Sequence, residues 1–391
     1  MKKTKRVKDD KDKLKNNLDK INNISKNLYS KEELDIYLRN LNKTYNKSYK
    51  NTFNYNLINY RTSADNLENN IIKKININKE INNLEDLIDL INENPIQSNI
   101  KYNINIEILN KIKNELVTLN NMIGLNYIKN NIINQILYYI QNLHSFDKNH
   151  SDFMHIVLYG PPGTGKTEIA KIIGTIFANI NILKSNKFKK VTRADLIAGY
   201  LGQTALKTKN VIEESLDGVL FIDEAYALGN PEKRDSFSKE CIDTLCEALT
   251  DYKSRLMVII AGYEDELEKC FFNYNPGLQS RFIWRYKTDD YNAIELMQIF
   301  IKKIKEINWD IDIENKILED WFESHKKYLK YYGRSIETLL TKTKISHSTR
   351  IFGDTNKNNI KKLNLVDLKK GFKLMDLEKI ENNDYLYSLY R

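Results

Sequence analysis

Glycine is absent from the first 123 residues of this 391-residue chain: none of its 14 glycines precedes Gly124. Cysteine is scarce too, with only Cys241, Cys246 and Cys270. Three are too few for a disulfide framework in a chain this long, and they suit a cytoplasmic or other intracellular reducing compartment. Cys241 and Cys246 are five apart, so on a helix turning about 100° per residue they point about 140° away from each other and read as small core hydrophobes. No stretch reaches the ~18 consecutive apolar residues of a membrane helix, so no membrane span is expected. The first ten residues are charged but no apolar segment follows them, which argues against a secretory signal. The five histidines do not sit at ligand spacing from one another or from the cysteines, so no Cys/His metal pattern is present.

A globally basic surface is also missing, although the net charge is +9. Residues 1–50 carry 15 Lys+Arg against 7 Asp+Glu, and the other 341 residues are almost balanced at 46 against 45. The excess belongs to one arm, which speaks against a chain that coats nucleic acid along its length. Asparagine is equally uneven, with 34 of 50 in the first 150 residues and 8 in the next 150. The composition therefore describes two parts.

The first part, residues 1–118, reads as an Asn/Lys/Ile-rich extension, mainly helical or disordered, with 1–75 the candidate disordered stretch. Leu14, Leu18, Ile21 and Leu28 fit a heptad seam that Ser25 interrupts, too short for a coiled coil. Ile81, Leu84, Leu87, Ile88 and Ile91, and then Ile108, Leu109, Ile112, Leu116 and Leu119, form two helical stripes. From Gly124 the pattern becomes that of an α/β protein. His155–Tyr159, Gly218–Asp223 and Leu256–Ala261 are short apolar runs without alternation, as in strands buried on both faces of a parallel sheet. Beyond Asp289 the stripes are helical, near 294–306, 313–329, 334–346 and 365–377. The expected organisation is an α/β domain over 119–288, a small all-α domain over 289–378 and a tail over 379–391.

The strongest chemical signal is Gly160-Pro-Pro-Gly-Thr-Gly-Lys-Thr167, placed between a strand and the helical run Ile169-Ala-Lys-Ile-Ile. Glycines in such a loop let successive backbone N–H groups point at phosphates, and the following helix adds its positive end. Gly160, Pro161, Pro162, Gly163, Thr164, Gly165, Lys166, Thr167 and Glu168 are thus the expected nucleotide contacts. Lys166 would reach the terminal phosphates, and the Thr167 hydroxyl would bind Mg²⁺. Val219-Leu-Phe-Ile-Asp-Glu224 is the matching second element. Its buried strand brings Asp223 and Glu224 to the C-terminal edge of the sheet, where open α/β sheets bind ligands. Asp223 is assigned to the Mg²⁺ shell through water, and Glu224 to activating the attacking water.

Together these motifs resemble the AAA+ ATPases, a P-loop sheet domain followed by an α-helical lid domain. Asp195-Leu-Ile-Ala-Gly-Tyr-Leu-Gly-Gln-Thr, Val258-Ile-Ile-Ala-Gly-Tyr and Asn275-Pro-Gly-Leu-Gln-Ser-Arg-Phe are similar to the CbbX/CfxQ group, which includes the stage V sporulation protein K type. The resemblance covers about 119–378. It implies ATP and Mg²⁺ as cofactors, ATP hydrolysis, and a hexameric homo-oligomer. It places Gly124 over the adenine base (a helix-capping turn is the alternative) and Tyr200 and Leu201 on a loop lining a central pore (a tight turn around an aromatic is the alternative). It makes Arg281 an arginine finger for the neighbouring subunit and Arg334 a second sensor, where a lone reading of each is a surface arginine. Gln279 replaces an arginine common in relatives, so a second arginine role is lost. Tyr263 stands where many AAA+ proteins carry a first-sensor asparagine.

Three functions compete. One is a protein remodeller that pulls a client segment through a pore. A second is a DNA-directed motor of the clamp-loader or helicase type, for which the charge-balanced last 341 residues offer no basic pore and no recognisable DNA-binding module. The third is a nucleotide-binding scaffold without hydrolysis, against which Asp223, Glu224 and Arg281 all speak. The basic arm stays open to nucleic acid or anionic surfaces, or is simply a solvated tail.

Overall fold

A computed structural model describes residues 73–145, 152–200, 202–230, 235–353 and 360–375. The heptad-like seam at Leu14–Leu28, Leu201, expected on a pore loop, and the tail 379–391 lie outside the described residues. The chain divides into two compact units. The described residues of the first are Lys73 and Lys74, of the short strand β1 (Lys73–Ile75), and Ser98–Lys101, a turn leading into β2 (Ile100–Tyr102). Everything below concerns the second unit.

Four helices precede its sheet: α1 (Leu84–Glu93), α2 (Ile106–Lys111), α3 (Lys113–Asn120) and α4 (Asn126–Ile140). Part of the asparagine excess starts them. The Asn83 side chain accepts from the Asp86 N–H at 2.8 Å while the Asp86 carboxylate accepts from the Asn83 N–H, a reciprocal cap. Asn105 caps α2 by accepting from the Ile108 N–H at 3.1 Å.

Five parallel strands follow: β3 (Ile156–Tyr159), β4 (Phe188–Val191), β5 (Val219–Ile222), β6 (Met257–Gly262) and β7 (Trp284–Lys287), in the order β4-β5-β6-β3-β7. Their crossovers are α5 (Lys166–Asn179), then α6 (Arg193–Leu196) with α7 (Thr204–Glu214), then α8 (Ser236–Asp251), and last α9 (Glu264–Cys270) with α10 (Gly277–Arg281). The hydrophobic pattern does not announce β4. It reads Phe-Lys-Lys-Val and lies at the sheet edge, where charged side chains are tolerated and discourage further pairing. β7 begins only at Trp284, because Phe282 still closes α10 through its N–H to the Leu278 carbonyl.

Alternate side chains of each strand point to opposite faces, and two cores result. Ile156, Leu158, Val219, Phe221, Met257 and Ile259 face one of them, and Val157, Leu220, Ile222, Val258 and Ile260 the other. The first core also holds Leu84, Leu87, Ile91, Ile112, Leu116 and Leu119, each no more than 2% exposed. At ~1.5–3 kcal/mol per fully buried side chain, those six contribute about 10 kcal/mol, comparable to the net stability of a whole domain. The helices of residues 84–120 are therefore energetically part of the sheet's body.

The C-terminal region has its own core of Leu296, Phe300, Phe322, Ile336, Leu339 and Leu368, among others. Its elements are α11 (Ala293–Glu306), β8 (Asp310–Asp312), α12 (Asn315–His325), α13 (Tyr332–Arg350), β9 (Lys362–Asn364) and a helix over 365–375. β8 and β9 pair in parallel, a two-strand addition to a helical region in which no strand is expected from sequence. Asp367 is fully buried and binds Arg350 Nε at 2.7 Å and His347 Nδ1 at 3.0 Å, which fixes the last helix against α13. Among the described residues, no helix is long and apolar enough to cross a membrane.

Candidate nucleotide-binding site

The loop between β3 and α5 wraps because three of its residues adopt positive φ. Gly160 (+148°), Gly163 (+82°) and Gly165 (+83°) occupy conformations that side-chain-bearing residues rarely take. Gly165 caps α5, so the positive end of that helix opens at the loop. The Lys166 ammonium folds back and donates to the Gly160 carbonyl at 2.8 Å and the Pro161 carbonyl at 2.7 Å. Burial pushes its pKa down to about 8; Asp223 and Glu224 pull it back up, and Arg334 pushes it further down. A lysine so desolvated gains strongly from an arriving anion.

Gly160, Pro162, Gly163, Gly165, Lys166, Thr167 and Glu168 line a cavity of about 210 Å³, and Asp223 and Glu224 meet them there from the end of β5. Two expected contacts sit differently. Pro161 offers its carbonyl to Lys166 and to the Thr164 hydroxyl (2.8 Å), and the Thr164 side chain, 1% exposed, is bound inside the loop. Glu224 lies at φ +51°, ψ +45°, a left-handed conformation costly for a residue with a Cβ, and such strain concentrates at functional positions. It turns the chain directly after the strand, so that adjacent Asp223 and Glu224 both reach the cavity.

The C-terminal region closes one side. Arg334, in the first turn of α13, lines the same cavity, and the Gly333 N–H donates to the Gly163 carbonyl at 3.0 Å. A second cavity of about 380 Å³ adjoins it, lined by Met122, Ile123, Tyr291, Ile299, Lys302 and Arg334 among others. Gly124, which ends the strap Met122–Gly124, does not line this cavity: a Cβ there would stand 2.9 Å from the Tyr291 ring, and φ is +65°. Lys129 holds the strap by donating to the Asn120 and Met122 carbonyls at 2.9 and 2.5 Å.

Other expected residues stand apart. Arg281 does not line either cavity; its guanidinium donates to Thr250 Oγ1 at 2.9 Å and to the Gly277 carbonyl at 2.7 Å. Tyr200 is 75% exposed, and neither Gly199 nor Gly202 has any atom near its Cβ position. The loop that carries Tyr200 is held at its ends, by the Ala198 N–H to Thr204 Oγ1 and by the Thr208 hydroxyl to the Leu196 carbonyl. Gln279 lies beside Glu268. Tyr263 does line the 210 Å³ cavity, and so do Tyr226 and Lys190, which sequence reasoning passes over. The Lys190 signal is the parallel register, which pairs it with Phe221, two residues before Asp223.

A five-stranded parallel sheet with a glycine loop, an acidic pair at the strand edge and a docked helical region defines an α/β P-loop protein with the AAA+ arrangement. Residues 156–282 match the family described as "ATPase family associated with various cellular activities (AAA)". A putative cfxQ-like protein of Acanthamoeba polyphaga mimivirus is 39% identical over 308 residues, which is 78% of this chain and 75% of that protein. Stage V sporulation protein K of Bacillus subtilis is 42% identical over 161 residues, 41% of this chain and 49% of that protein. The plasmid-borne CbxX protein of Cupriavidus necator is 33% identical over 203 residues, 51% of this chain and 64% of that protein. The match thus spans about half to three quarters of these relatives' lengths. Among solved structures, the FIGL-1 AAA domain in complex with ADP aligns over 61% of this chain and 77% of that chain at 19% identity, with a TM-score of 0.46. The chain belongs to the CbbX/CfxQ family of AAA+ ATPases.

Proposed function

We propose that this chain binds and hydrolyses ATP at the Gly160–Thr167 loop and works as a hexameric ring that remodels a protein client. Lys166 binds the terminal phosphates, and the strap at Met122–Gly124 covers the base. Glu224 orients and deprotonates the attacking water. Arg334 contacts the phosphates from the lid side, and Tyr263 and Tyr226 bound the cavity next to Glu224. Mg²⁺ fits the donor set: the Thr167 hydroxyl and the Asp223 carboxylate are hard oxygen donors on one cavity, and a cationic side chain already stands against Asp223. When bound, the metal would neutralise charge on the transferring phosphate, held by Thr167 and by Asp223 through water.

The observation that carries the ring is the position of Arg281. Lys166, Thr167, Asp223, Glu224 and Arg334 meet at one cavity, while Arg281 is held at the end of α10. In this reading the transition-state arginine comes from a second copy. Tyr200, exposed on a loop pinned at both ends, would grip the client through its flat amphipathic ring. Residues 84–118 belong with the ATPase body in this reading, and residues 1–75 address the client or the location. Buried, free cysteines suit a reducing compartment.

Mixing variants tests the shared site. Arg281→Ala and Lys166→Ala should each be inactive alone, with losses of about 10³-fold or more for the arginine. Mixed, they should recover activity, because a Lys166→Ala subunit supplies Arg281 to the intact loop of an Arg281→Ala neighbour. Light scattering with a non-hydrolysable ATP analogue should give a mass near six chains. A monomeric mass with no recovery on mixing refutes the shared site.

A further inference from the structure

Lys190 lies outside both motifs and enters the site from the edge strand. Its Cα is in register with Phe221 across the β4–β5 pair, and its ammonium lies over the Phe221 ring, 5.8 Å from the centroid. The ring is itself stacked on Phe188, which fixes the surface along which the lysine extends. The Asp223 backbone is pinned to the same strand by its N–H to the Val191 carbonyl at 3.0 Å. Lys190 Nζ thereby arrives 2.6 Å from Asp223 Oδ2, while Oδ1 accepts from the Glu224 N–H at 3.2 Å.

We infer that Lys190 is a positioning residue that occupies the cation side of Asp223 and competes with the divalent cation for that carboxylate. The inference rests on the assignment of Asp223 to the metal shell. Two cations cannot share one face of a carboxylate without repulsion, so arrival of the metal displaces the ammonium. Until then the lysine neutralises Asp223 and keeps it from repelling incoming phosphates. Its effect has opposite signs with and without metal, which separates it from a role in folding. The Lys190 side chain is about half exposed, so solvent screens the competition and its expected size is modest.

The test uses the full chain, a fluorescent non-hydrolysable ATP analogue and free Mg²⁺ as the variable. Lys190→Met should bind the analogue about two- to fivefold more weakly in EDTA, and should reach half-maximal tightening at about two- to fivefold lower Mg²⁺. Lys190→Arg keeps the cation and should keep or raise the wild-type midpoint. Lys189→Met is the control, since Lys189 pairs with Glu214 on the other side of the strand, and it should leave both values unchanged. A midpoint in Lys190→Met that is unchanged or higher, or one that Lys189→Met shifts equally, overturns the inference while leaving the nucleotide site standing. If the wild type shows no Mg²⁺-dependent tightening, the metal assignment of Asp223 falls, and this inference falls with it.

Discussion

The Gly333 N–H donates to the Gly163 carbonyl at 3.0 Å, so the phosphate loop and the first turn of the lid helix share a backbone hydrogen bond. A Cβ on Gly163 would press on the Tyr331 carbonyl and come 2.8 Å from the Arg334 nitrogen, at φ +82°. Gly163→Ala therefore meets a left-handed cost of about 1–2 kcal/mol together with a collision against the lid. Nucleotide affinity and thermal stability should both fall; isothermal titration and a thermal melt check this. A variant with both unchanged would mean that the lid does not rest on the loop.

Glu224 lines the cavity without belonging to the Gly160–Thr167 loop proposed to hold phosphate. Glu224→Gln should keep nucleotide affinity within a few-fold and lose about 10²–10⁴ in turnover, the usual size of a general-base contribution. Binding and steady-state phosphate release, measured on one preparation, separate the two effects. Normal turnover would remove Glu224 from the water-activating role.

Tyr200 is 75% exposed, and nothing lies within 4 Å of the Cβ positions of Gly199 and Gly202, so its removal disturbs little packing among the described residues. Tyr200→Ala should shift stability by no more than about 0.5 kcal/mol and retain ATPase activity. It should lose retention of client proteins in affinity capture with the Glu224→Gln background in ATP. Full client retention without the ring would contradict the pore-loop role.

His155 is fully buried beside the sheet, where its Nδ1 accepts from the Val258 N–H at 3.1 Å and its Nε2 faces the Leu249 carbonyl at 3.3 Å. Burial depresses its pKa from 6.5 to about 4, with the Leu249 carbonyl opposing and Arg281 adding to the shift. The folded state thus resists a proton that the unfolded chain accepts. Stability is full above pH 6.5 and falls as the pH drops toward 4, by about 3 kcal/mol at ~1.4 kcal/mol per pH unit. Urea unfolding of wild type and His155→Asn should show their stability difference narrowing over that window. A constant difference would mean that His155 does not titrate with unfolding.

Three of the five strands could be read from sequence because Ile156–Tyr159, Val219–Ile222 and Met257–Gly262 are buried on both faces, which forces unbroken apolar runs. β4 could not, because an edge strand needs apolar residues only where it meets the core, and Lys189 and Lys190 follow no burial rule. The stripes at Leu84–Ile91 and Ile108–Leu119 were readable as helices, but an apolar face does not name what it packs against. Their placement on the sheet's own core came from the structure.

By sequence alone, this chain was assigned to its superfamily and given a phosphate loop and an acidic strand end, because those functions demand glycines, a lysine and two carboxylates at nearly fixed local spacing. Tertiary structure alone decided which distant groups join them. Lys190 reaches Asp223 through strand register, Gly333 reaches Gly163 through lid docking, and Arg281 stays away from the cavity its own chain builds. Local geometry is written in neighbouring residues, whereas these relationships depend on how packed faces bring together positions far apart in the chain.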